Sequence, residues 1–210
     1  MIILFDLDGT LIDSRADLAD AVNQTRSDYG FSVRPLPEIV ACVGDGVKLL
    51  IRRAIPELPP ELLDEAVARN KINYRARMLN RTILYPGIAE TVRALAETHC
   101  LGVVTNKPGE FAEPILAELG IADCFKAIVG GGDAPLLKPD PAPLRLAAER
   151  IGRPLAPSDW MIGDHVVDLE AGRSAGIKTC FCSYGFGETR DCPHDLSISD
   201  PRQLLKDLPC

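Results

Sequence analysis

Two aspartates, Asp6 and Asp8, directly follow the apolar segment Ile2–Phe5 at the start of the sequence. Because they are two residues apart at the end of a predicted strand, their side chains can emerge on the same side of the chain. Two close carboxylates repel each other unless a cation, a shared proton or separate solvation relieves the repulsion. Gly9 permits a tight turn or a close approach of the backbone. The spacing favours a functional site, and the alternative is a solvated turn closed by an aspartate side chain.

A second pair, Asp164 and Asp168, follows the apolar segment Trp160–Ile162. If a helix begins near His165, Asp168 lies one turn along it, on the same side as Asp164. Parallel strands would bring both aspartate pairs to one edge of a sheet, where ligands bind in open α/β folds. Four carboxylates at one edge make a site for a hard divalent cation, and partial ligation by water favours Mg²⁺. The alternative is two unrelated acidic residues that the dipole of a helix N-terminus favours.

Further polar residues lie at the end of one predicted strand and just before one predicted helix. Thr105 and Asn106 end the apolar segment Leu101–Thr105 with a hydroxyl and an amide, which suit phosphoryl oxygens. Lys138 stands just before a predicted helix, and a lysine beside several carboxylates and a phosphate would have an electrostatic role. Each feature alone is weak, because a lysine in a loop is usually a solvated charge. Their order and their shared placement at strand ends argue against coincidence.

The segments that position these residues alternate between strand and helix patterns. The apolar runs are continuous, as expected for parallel strands that are covered on both faces. Helical patterns of apolar residues begin near Ile88, Phe111 and Leu144, the last with Asp140 as the predicted cap. This alternation predicts an α/β fold with a doubly wound, mainly parallel sheet. The predicted strands are Ile2–Phe5, Leu101–Thr105, Ala127–Val129, Trp160–Ile162 and Ile177–Phe181.

One long stretch of the chain shows only helical patterns, from about Ser14 to Arg81. A crossover between parallel strands needs only a dozen or more residues, so this stretch is a domain-sized insertion. We therefore predict two domains: an α/β core formed by residues 1–14 and 82–210, and a small all-helical domain, residues 15–81, inserted after the first strand.

The composition excludes several classes of partner. The chain has 210 residues, with 23 Lys and Arg against 30 Asp and Glu and a formal net charge of −7. An acidic chain without a basic run is a poor candidate for binding nucleic acid or an anionic membrane. The N-terminal segment lacks the features of a signal peptide, and no apolar run approaches the ~18 to 20 residues of a membrane span. Its seven cysteines, an odd number, suit a reducing compartment, so we expect a cytoplasmic protein that contacts neither nucleic acid nor membranes.

Four short motifs, taken in order, resemble the signature motifs of the haloacid dehalogenase-like hydrolase superfamily. The resemblance extends from residue 1 to about residue 185, and the helical insertion resembles the small helical cap of that superfamily. The segments Gly44–Ala54 and Gly130–Asp133 are similar to the phosphoglycolate phosphatase-like branch. The motifs are Asp6-Leu7-Asp8-Gly9-Thr10, Thr105-Asn106, Lys138-Pro139 and Gly163-Asp164 with Asp168.

The resemblance implies a Rossmann-like core and a Mg²⁺-dependent phosphatase that works through an aspartyl-phosphate intermediate. Asp6 would be the nucleophile, and Asp8 would be the general acid and then the general base. Mg²⁺ would be held by the Asp6 side chain, the Asp8 backbone carbonyl and Asp164, with Asp168 orienting or ligating.

The remaining motif residues would bind the transferring group. By the same resemblance, Thr105 and Asn106 would contact its oxygens, and Lys138 would neutralise its charge and steady Asp6. Thr10 would support the first motif by hydrogen bonding. The residue after Asp164 is usually small and polar in this superfamily, so we interpret His165 as a helix-start residue with no chemical role; a role in the site is the alternative.

The predicted cap offers candidates for reading the substrate. The loop Gly44–Gly46 is the segment most expected to face the substrate, with Gly44, Asp45 and Lys48 as binding candidates. The alternative is a turn between two helices in which Lys48 points to solvent, and the sequence leaves both open.

The same resemblance favours a small phosphorylated metabolite as the substrate, 2-phosphoglycolate in particular. True dehalogenases lack the second aspartate that Asp8 provides, and phosphosugar mutases of the beta-phosphoglucomutase type commonly carry Val in place of Thr10. Such a mutase remains the alternative enzyme, and a non-catalytic regulatory protein on the same scaffold is the alternative outside enzymology. The sequence leaves open whether the protein is a monomer or a homodimer.

Overall fold

A computed structural model describes residues 1–208 and contains one sheet of six strands. The strand order is β5-β4-β1-β6-β7-β8, and every neighbouring pair is parallel. The strands β2 and β3 form a separate antiparallel pair. The strands are β1 (Ile2–Phe5), β2 (Ile12–Asp13), β3 (Ile83–Leu84), β4 (Cys100–Pro108), β5 (Phe125–Gly131), β6 (Trp160–Gly163), β7 (Lys178–Cys182) and β8 (Leu196–Ile198).

Helices cover both faces of the large sheet, and short 3₁₀ turns lie at Pro60–Leu62, Ala122–Cys124 and Pro201–Gln203. No helix of residues 1–208 is long and apolar enough to cross a membrane. The α-helices are α1 (Arg15–Asp28), α2 (Leu36–Val40), α3 (Val47–Ala54), α4 (Leu63–Arg75), α5 (Ile88–Ala96), α6 (Gly109–Glu118), α7 (Ala142–Ile151), α8 (Val166–Ala175) and α9 (Leu204–Asp207).

The position of strand β1 between two layers of helices explains why its sequence is continuously apolar. Ile3 and Phe5 pack with α5 and α6 on one face, whereas Ile2 and Leu4 pack with α7 and α8 on the other. All four side chains are fully buried. Alternate residues of a strand point to opposite faces, so a strand with helices on both sides needs apolar residues at every position. The predicted doubly wound, mainly parallel α/β sheet is confirmed.

The helices α1 to α4 have an apolar core of their own. Val22, Ile39, Ile51 and Ala66 contribute fully buried side chains to it. The buried guanidinium of Arg26 spans this core and donates to the backbone oxygen of Ala54 at 2.6 Å. We call α1 to α4 the helical segment; the domain boundaries at residues 14/15 and 81/82 stay a prediction.

The structure differs from the predicted elements in a few places. The helical pattern is expected to continue to about Arg81, whereas helix α4 ends at Arg75. Pro141, not Asp140, occupies the cap position of α7, yet Asp140 accepts a hydrogen bond from the Ala142 N–H at 2.8 Å and so satisfies the same helix end. The short strands β2, β3 and β8 lie outside the predicted set.

The cysteines of the described residues are not paired. Six of the seven, Cys42, Cys100, Cys124, Cys180, Cys182 and Cys192, have free thiols. Burial raises the pKa of the Cys180 thiol to about 12. A thiol with such a pKa stays protonated and unreactive at neutral pH, as expected for a small apolar residue of the core. The seventh, Cys210, lies outside the described residues.

Candidate active site

Asp6 lies at the carboxyl end of β1, in the middle of the sheet, and faces a buried lysine. Lys138 Nζ lies 2.8 Å from Asp6 Oδ1, 2.6 Å from Asp168 Oδ1 and 2.6 Å from the backbone oxygen of Val104. Lys138 belongs to the segment between β5 and α7. Three hydrogen bonds use all the donors of an ammonium group. Lys138 therefore holds Asp6 in position relative to strand β4 and helix α8.

Three buried carboxylates meet at this edge of the sheet. Asp6, Asp164 and Asp168 each offer an oxygen, and these oxygens all lie within 4.8 Å of one another. Burial raises the pKa of Asp6 to about 6, against the opposing effect of the Lys138 ammonium. Burial and then the neighbouring Asp6 carboxylate raise the pKa of Asp164 well above its usual range. The cluster is therefore short of positive charge, which a divalent cation would supply.

The donor set fits a hard cation. All three side chains present carboxylate oxygens, and the group contains no sulfur or imidazole ligand. Such oxygen ligands suit Mg²⁺, which keeps several waters and takes only a few carboxylates. The Asp8 carboxylate lies outside this group, so any contribution from Asp8 to a metal would come from its backbone carbonyl.

Asp164 is held by the first motif and by a loop near the C-terminus. Its Oδ1 accepts from the Thr10 hydroxyl at 3.2 Å, and its Oδ2 accepts from the N–H groups of Phe186 at 3.0 Å and Gly187 at 2.8 Å. Gly9 has a φ of +90°, and a Cβ there would lie 2.0 Å from Asp164 Oδ2. Glycine at position 9 is therefore required both by the backbone and by the carboxylate beside it.

His165 starts helix α8 as predicted. Its ring Nδ1 accepts from the Val167 N–H at 3.4 Å, and its own N–H donates to Asp168 Oδ2 at 3.1 Å. This reciprocal arrangement is a capping box, and it orients Asp168 toward Lys138. The ring also lines the cavity described below, and a Cβ on Gly44 would lie 3.1 Å from its Nε2. His165 therefore caps a helix and also contacts the helical segment.

The Asp8 carboxylate is paired with a lysine that the sequence analysis did not select. Lys107 Nζ lies 2.8 Å from Asp8 Oδ1 and 2.9 Å from Oδ2, and the Ser14 hydroxyl donates to Oδ1 at 2.5 Å. The Lys107 side chain is 3% exposed. Although burial opposes it, the Asp8 carboxylate raises the pKa of Lys107 far above its usual range. Lys107 therefore stays charged beside Asp8.

Thr105 and Asn106 lie at the predicted edge, but their side chains differ in availability. The Thr105 hydroxyl accepts from the Lys107 N–H at 3.2 Å, which leaves its proton to donate to a ligand. The Asn106 amide donates to the backbone oxygens of Gly44 and Lys138 at 3.0 Å each and accepts from the Lys138 N–H at 2.9 Å. The Asn106 side chain therefore joins the Lys138 loop to the helical segment, and Asn106 also lines the cavity described below.

A cavity of about 70 Å³ lies between the sheet edge and the helical segment. Its polar lining includes Asp6, Asp8, Asp164, Thr105 and Lys107, and its apolar lining comes from both the core and the helical segment. The apolar side is formed by Leu18, Val43, Val47, Leu50, Tyr74, Phe111, Val167 and Phe186.

The three binding candidates at and after the loop Gly44–Gly46 have different surroundings in the structure. Gly44 lines the cavity, whereas Asp45 and Lys48 do not. Asp45 Oδ2 lies 2.5 Å from Arg53 Nη1, and the exposed Lys48 pairs with Asp64 at 2.6 Å. The interpretation of Lys48 as a solvated residue of a helix–helix turn therefore agrees with the geometry, and a role for Asp45 or Lys48 in binding has no contact to support it in this structure.

A sequence model of the haloacid dehalogenase-like hydrolase family matches residues 3–182. The chain is 35% identical over 213 residues to a phosphoglycolate phosphatase of Pseudomonas syringae pv. syringae, covering 97% of this chain and 78% of the relative. It is 36% identical over 216 residues to a phosphoglycolate phosphatase of Nitrosococcus oceani, covering 98% and 95%. A crystal structure described as a predicted phosphoglycolate phosphatase from Haemophilus somnus 129pt has a TM-score of 0.90 at 30% identity, covering 98% of this chain and 96% of that one.

Proposed function

The chain belongs to the haloacid dehalogenase-like hydrolase family, and on that premise we propose that it is a phosphatase that hydrolyses 2-phosphoglycolate. The observation that carries the proposal is the group of Asp6, Lys138 and Asp8 at a small cavity closed by the helical segment. Asp6 is buried beside an ammonium group, and Asp8 lies two residues further along the same edge. The relatives named above as phosphoglycolate phosphatases support this choice of substrate.

The same edge of the sheet has the residues to hold Mg²⁺. The carboxylates of Asp6, Asp164 and Asp168 and the backbone carbonyl of Asp8 would be its protein ligands. When bound, the ion screens the repulsion between Asp6 and the phosphate and aligns the two for reaction. Without it, burial and mutual repulsion keep the pKa of Asp6 and of Asp164 raised.

We assign the chemistry to the side chains as follows. A carboxylate oxygen of Asp6 attacks phosphorus, the ester bond breaks, and the Asp8 carboxyl group donates a proton to the departing oxygen. Asp8 then takes a proton from water, which attacks phosphorus and breaks the bond to Asp6. Inorganic phosphate leaves, and both aspartates return to their starting forms. The Thr105 hydroxyl donates to a phosphoryl oxygen, and the Lys138 ammonium group, whose donors are already used, stabilises the phosphoryl charge by electrostatic attraction without a hydrogen bond.

We further propose that residues 15–81 act as a cap over this reaction. Leu18, Leu50 and Tyr74 of the helical segment face the cavity, so closure would exclude water other than the attacking molecule. The free thiols of the described residues suit a reducing compartment, and we place the enzyme in the cytoplasm.

The proposal is tested by measuring phosphate release from 2-phosphoglycolate with Mg²⁺ for the wild type and Asp6→Asn. We expect steady release by the wild type and a loss of about 10³-fold or more in the variant, because the nucleophile is removed. Equal rates in both proteins would contradict the assignment of Asp6.

The mutase alternative is tested with a hexose 1-phosphate and its bisphosphate. We expect net phosphate release or no reaction, because the similar proteins named above are phosphoglycolate phosphatases. Isomerisation without net release of phosphate would instead assign the protein to the mutases.

A further inference from the structure

Lys107 is a buried cation at the cavity that the proposed chemistry does not use. Among the lining residues in the described part of the chain, it is the one lysine or arginine. Lys138, the other buried lysine of the site, is already held by Asp6, Asp168 and a backbone oxygen. Lys107 donates two hydrogen bonds, both to the Asp8 carboxylate, and its ammonium group also lies over the ring of Tyr74. An ammonium group has three donors, so one remains to bind an oxygen of a ligand.

The position of Lys107 relative to Asp8 sets how far it is from the reacting group. Asp8 must reach the ester oxygen of the substrate to protonate it, and the Lys107 ammonium lies one hydrogen bond beyond Asp8. Two successive hydrogen bonds of about 3 Å each therefore separate Lys107 from the ester oxygen. In 2-phosphoglycolate a single CH₂ group separates the carboxylate from that oxygen. A substrate carboxylate at the ester oxygen thus falls within reach of Lys107.

We propose that Lys107 binds the carboxylate of the substrate and thereby selects phosphate esters that carry an anionic group one carbon from the ester oxygen. This inference rests on the proposed phosphatase function and adds the group that recognises the carboxylate of its substrate. On binding, the substrate carboxylate replaces Asp8 as the principal partner of Lys107. Asp8 is then free to turn toward the ester oxygen.

The surroundings of Lys107 favour binding of an anion. The ring of Tyr74 lies 4.5 Å from Lys107 Nζ, and Tyr74 packs edge-on against Phe111 with the ring centroids 5.2 Å apart. The Tyr74 ring shields one side of the ammonium group from water, which strengthens an ion pair between the ammonium group and a carboxylate. Within residues 1–208 the buried Tyr74 hydroxyl has no hydrogen-bond partner. A buried hydroxyl without a partner is costly, and an incoming carboxylate oxygen would give it an acceptor.

Because of Tyr74, binding of the substrate carboxylate by Lys107 also depends on the position of the helical segment. Lys107 belongs to β4 and Phe111 to α6, whereas Tyr74 belongs to α4. The walls around the ammonium group are therefore complete only when the helical segment lies over the sheet edge, as it does in this structure.

The test compares 2-phosphoglycolate with ethyl phosphate, in which a methyl group stands in place of the carboxylate. The ratio of kcat/KM for the two substrates is measured with Mg²⁺ for the wild type, Lys107→Met and Lys107→Gln. Both substrates need Asp6 and Asp8 equally, so the ratio isolates recognition of the carboxylate. Lys107→Gln keeps a donor for Asp8 and removes only the charge. Lys126→Met, which removes an exposed lysine of β5, is the matched control.

We expect the wild type and the Lys126→Met control to prefer 2-phosphoglycolate by about 10²-fold or more, because a buried charge left without its partner rejects the neutral analogue. We expect the preference to fall about 10- to 100-fold in both Lys107 variants. An unchanged preference in a folded Lys107→Gln protein would overturn the inference and leave the phosphatase function standing. Equal wild-type rates on the two substrates would also overturn it, and no wild-type release of phosphate from either would refute the proposed function itself.

Discussion

Gly9 shows how one residue controls the geometry of the site. A Cβ at this position would overlap Asp164 Oδ2, at 2.0 Å, and the φ of +90° disfavours any side chain. We predict that Gly9→Ala lowers kcat about 10²-fold, because displacing Asp164 by a fraction of an ångström misaligns the reacting groups. The measurement is steady-state phosphate release at saturating Mg²⁺.

Gly30→Ala is the control for that experiment. Gly30 has a similar φ of +78°, yet a Cβ there would meet no atom within 4 Å. The Gly30 variant should lose about 1 to 2 kcal/mol of stability from backbone strain and keep its activity. If both variants kept full activity, Asp164 would not depend on the close approach of Gly9.

Asp159 gives a residue-scale prediction about stability and pH. It is fully buried, and although burial opposes the effect, hydrogen bonds from Arg153 and from the N–H groups of Ile2 and Ala156 lower its pKa from the ordinary value of 3.8. A group with a lowered folded-state pKa stabilises the fold above its unfolded value and loses that contribution as the pH falls through the folded value.

We therefore predict that Asp159→Asn lowers the free energy of unfolding by about 1 to 3 kcal/mol at pH 7, because an amide NH₂ would face other donors. The difference from the wild type should shrink near pH 3. Urea unfolding at the two pH values measures it. A difference that stayed constant with pH would show that packing, and not the charge of Asp159, is responsible.

The residues of the site were predictable to different degrees. Asp6, Asp8 and Asp164 could be located because parallel strands end at one edge, and the structure places them there. Lys107 was missed because the apolar run ends at Thr105, which places Lys107 in a loop. Strand β4 in fact continues to Pro108, with a register shift after Val104. Lys107 lies within this irregular part of the strand, and no pattern in the local sequence predicts it.

At the scale of elements, long apolar runs were predictable and short pairings were not. The strands of the sheet centre match the predicted segments within a few residues because burial on both faces forces a continuous apolar sequence. Strand β8 has only three residues, with the exposed Ser197 in its centre, and it forms only because β7 offers a free edge. The pair β2 and β3 likewise depends on chain segments that are far apart in sequence.

Helix α6 of the core contacts helix α4 of the helical segment through Glu110. Its carboxylate lies 3.0 Å from Lys71 Nζ and also pairs with Arg75, whose guanidinium lies over the Phe111 ring. We predict that Glu110→Ala raises KM about 2- to 5-fold, because two exposed ion pairs that hold the helices together are lost. Steady-state kinetics at low and high salt measure the effect.

A higher salt concentration and a second glutamate variant on the same helix provide the controls for the contact between α6 and α4. The increase in KM should be smaller at 0.5 M salt, because salt screens exposed pairs in the wild type as well. Glu113→Ala, at an exposed site on the same helix, should leave KM unchanged. If the two variants behaved alike, the ion pairs of Glu110 would play no part in holding the helical segment closed.

At the scale of the whole molecule, the acidic excess has a local consequence. A net charge of −7 disfavours binding to polyanions but does not prevent binding of a phosphate, because the charges that contact a phosphate lie at one edge of the sheet. There, Asp6, Asp164 and Asp168 face one another with Lys138 as the nearest cation. A bound divalent cation would reverse the sign of the potential that an incoming phosphate meets.

The same cluster should make the stability of the entire fold depend on pH and Mg²⁺. Burial raises the pKa of Asp6 from 3.8 to about 6. A carboxyl group with a raised folded-state pKa stabilises the fold fully below its unfolded value, and this stability is lost as the pH rises through the folded value. We predict that the Tm of the metal-free protein falls by several degrees between pH 4 and pH 8, because Asp6 and Asp164 ionise more readily in the unfolded chain than in the folded protein over this range.

Saturating Mg²⁺ should remove most of that fall, because the cation binds the ionised carboxylates of the folded state alone and stabilises it by about 3 kcal/mol at a hundred times its Kd. The measurement is thermal unfolding from pH 4 to pH 8 with EDTA or with Mg²⁺. Asp164→Asn should raise the Tm of the metal-free protein at pH 8, since it removes one of the repelling charges, and should abolish the response to Mg²⁺. A flat pH profile in EDTA, or an Asp164→Asn protein that still responds to Mg²⁺, would contradict a metal site built from these three carboxylates.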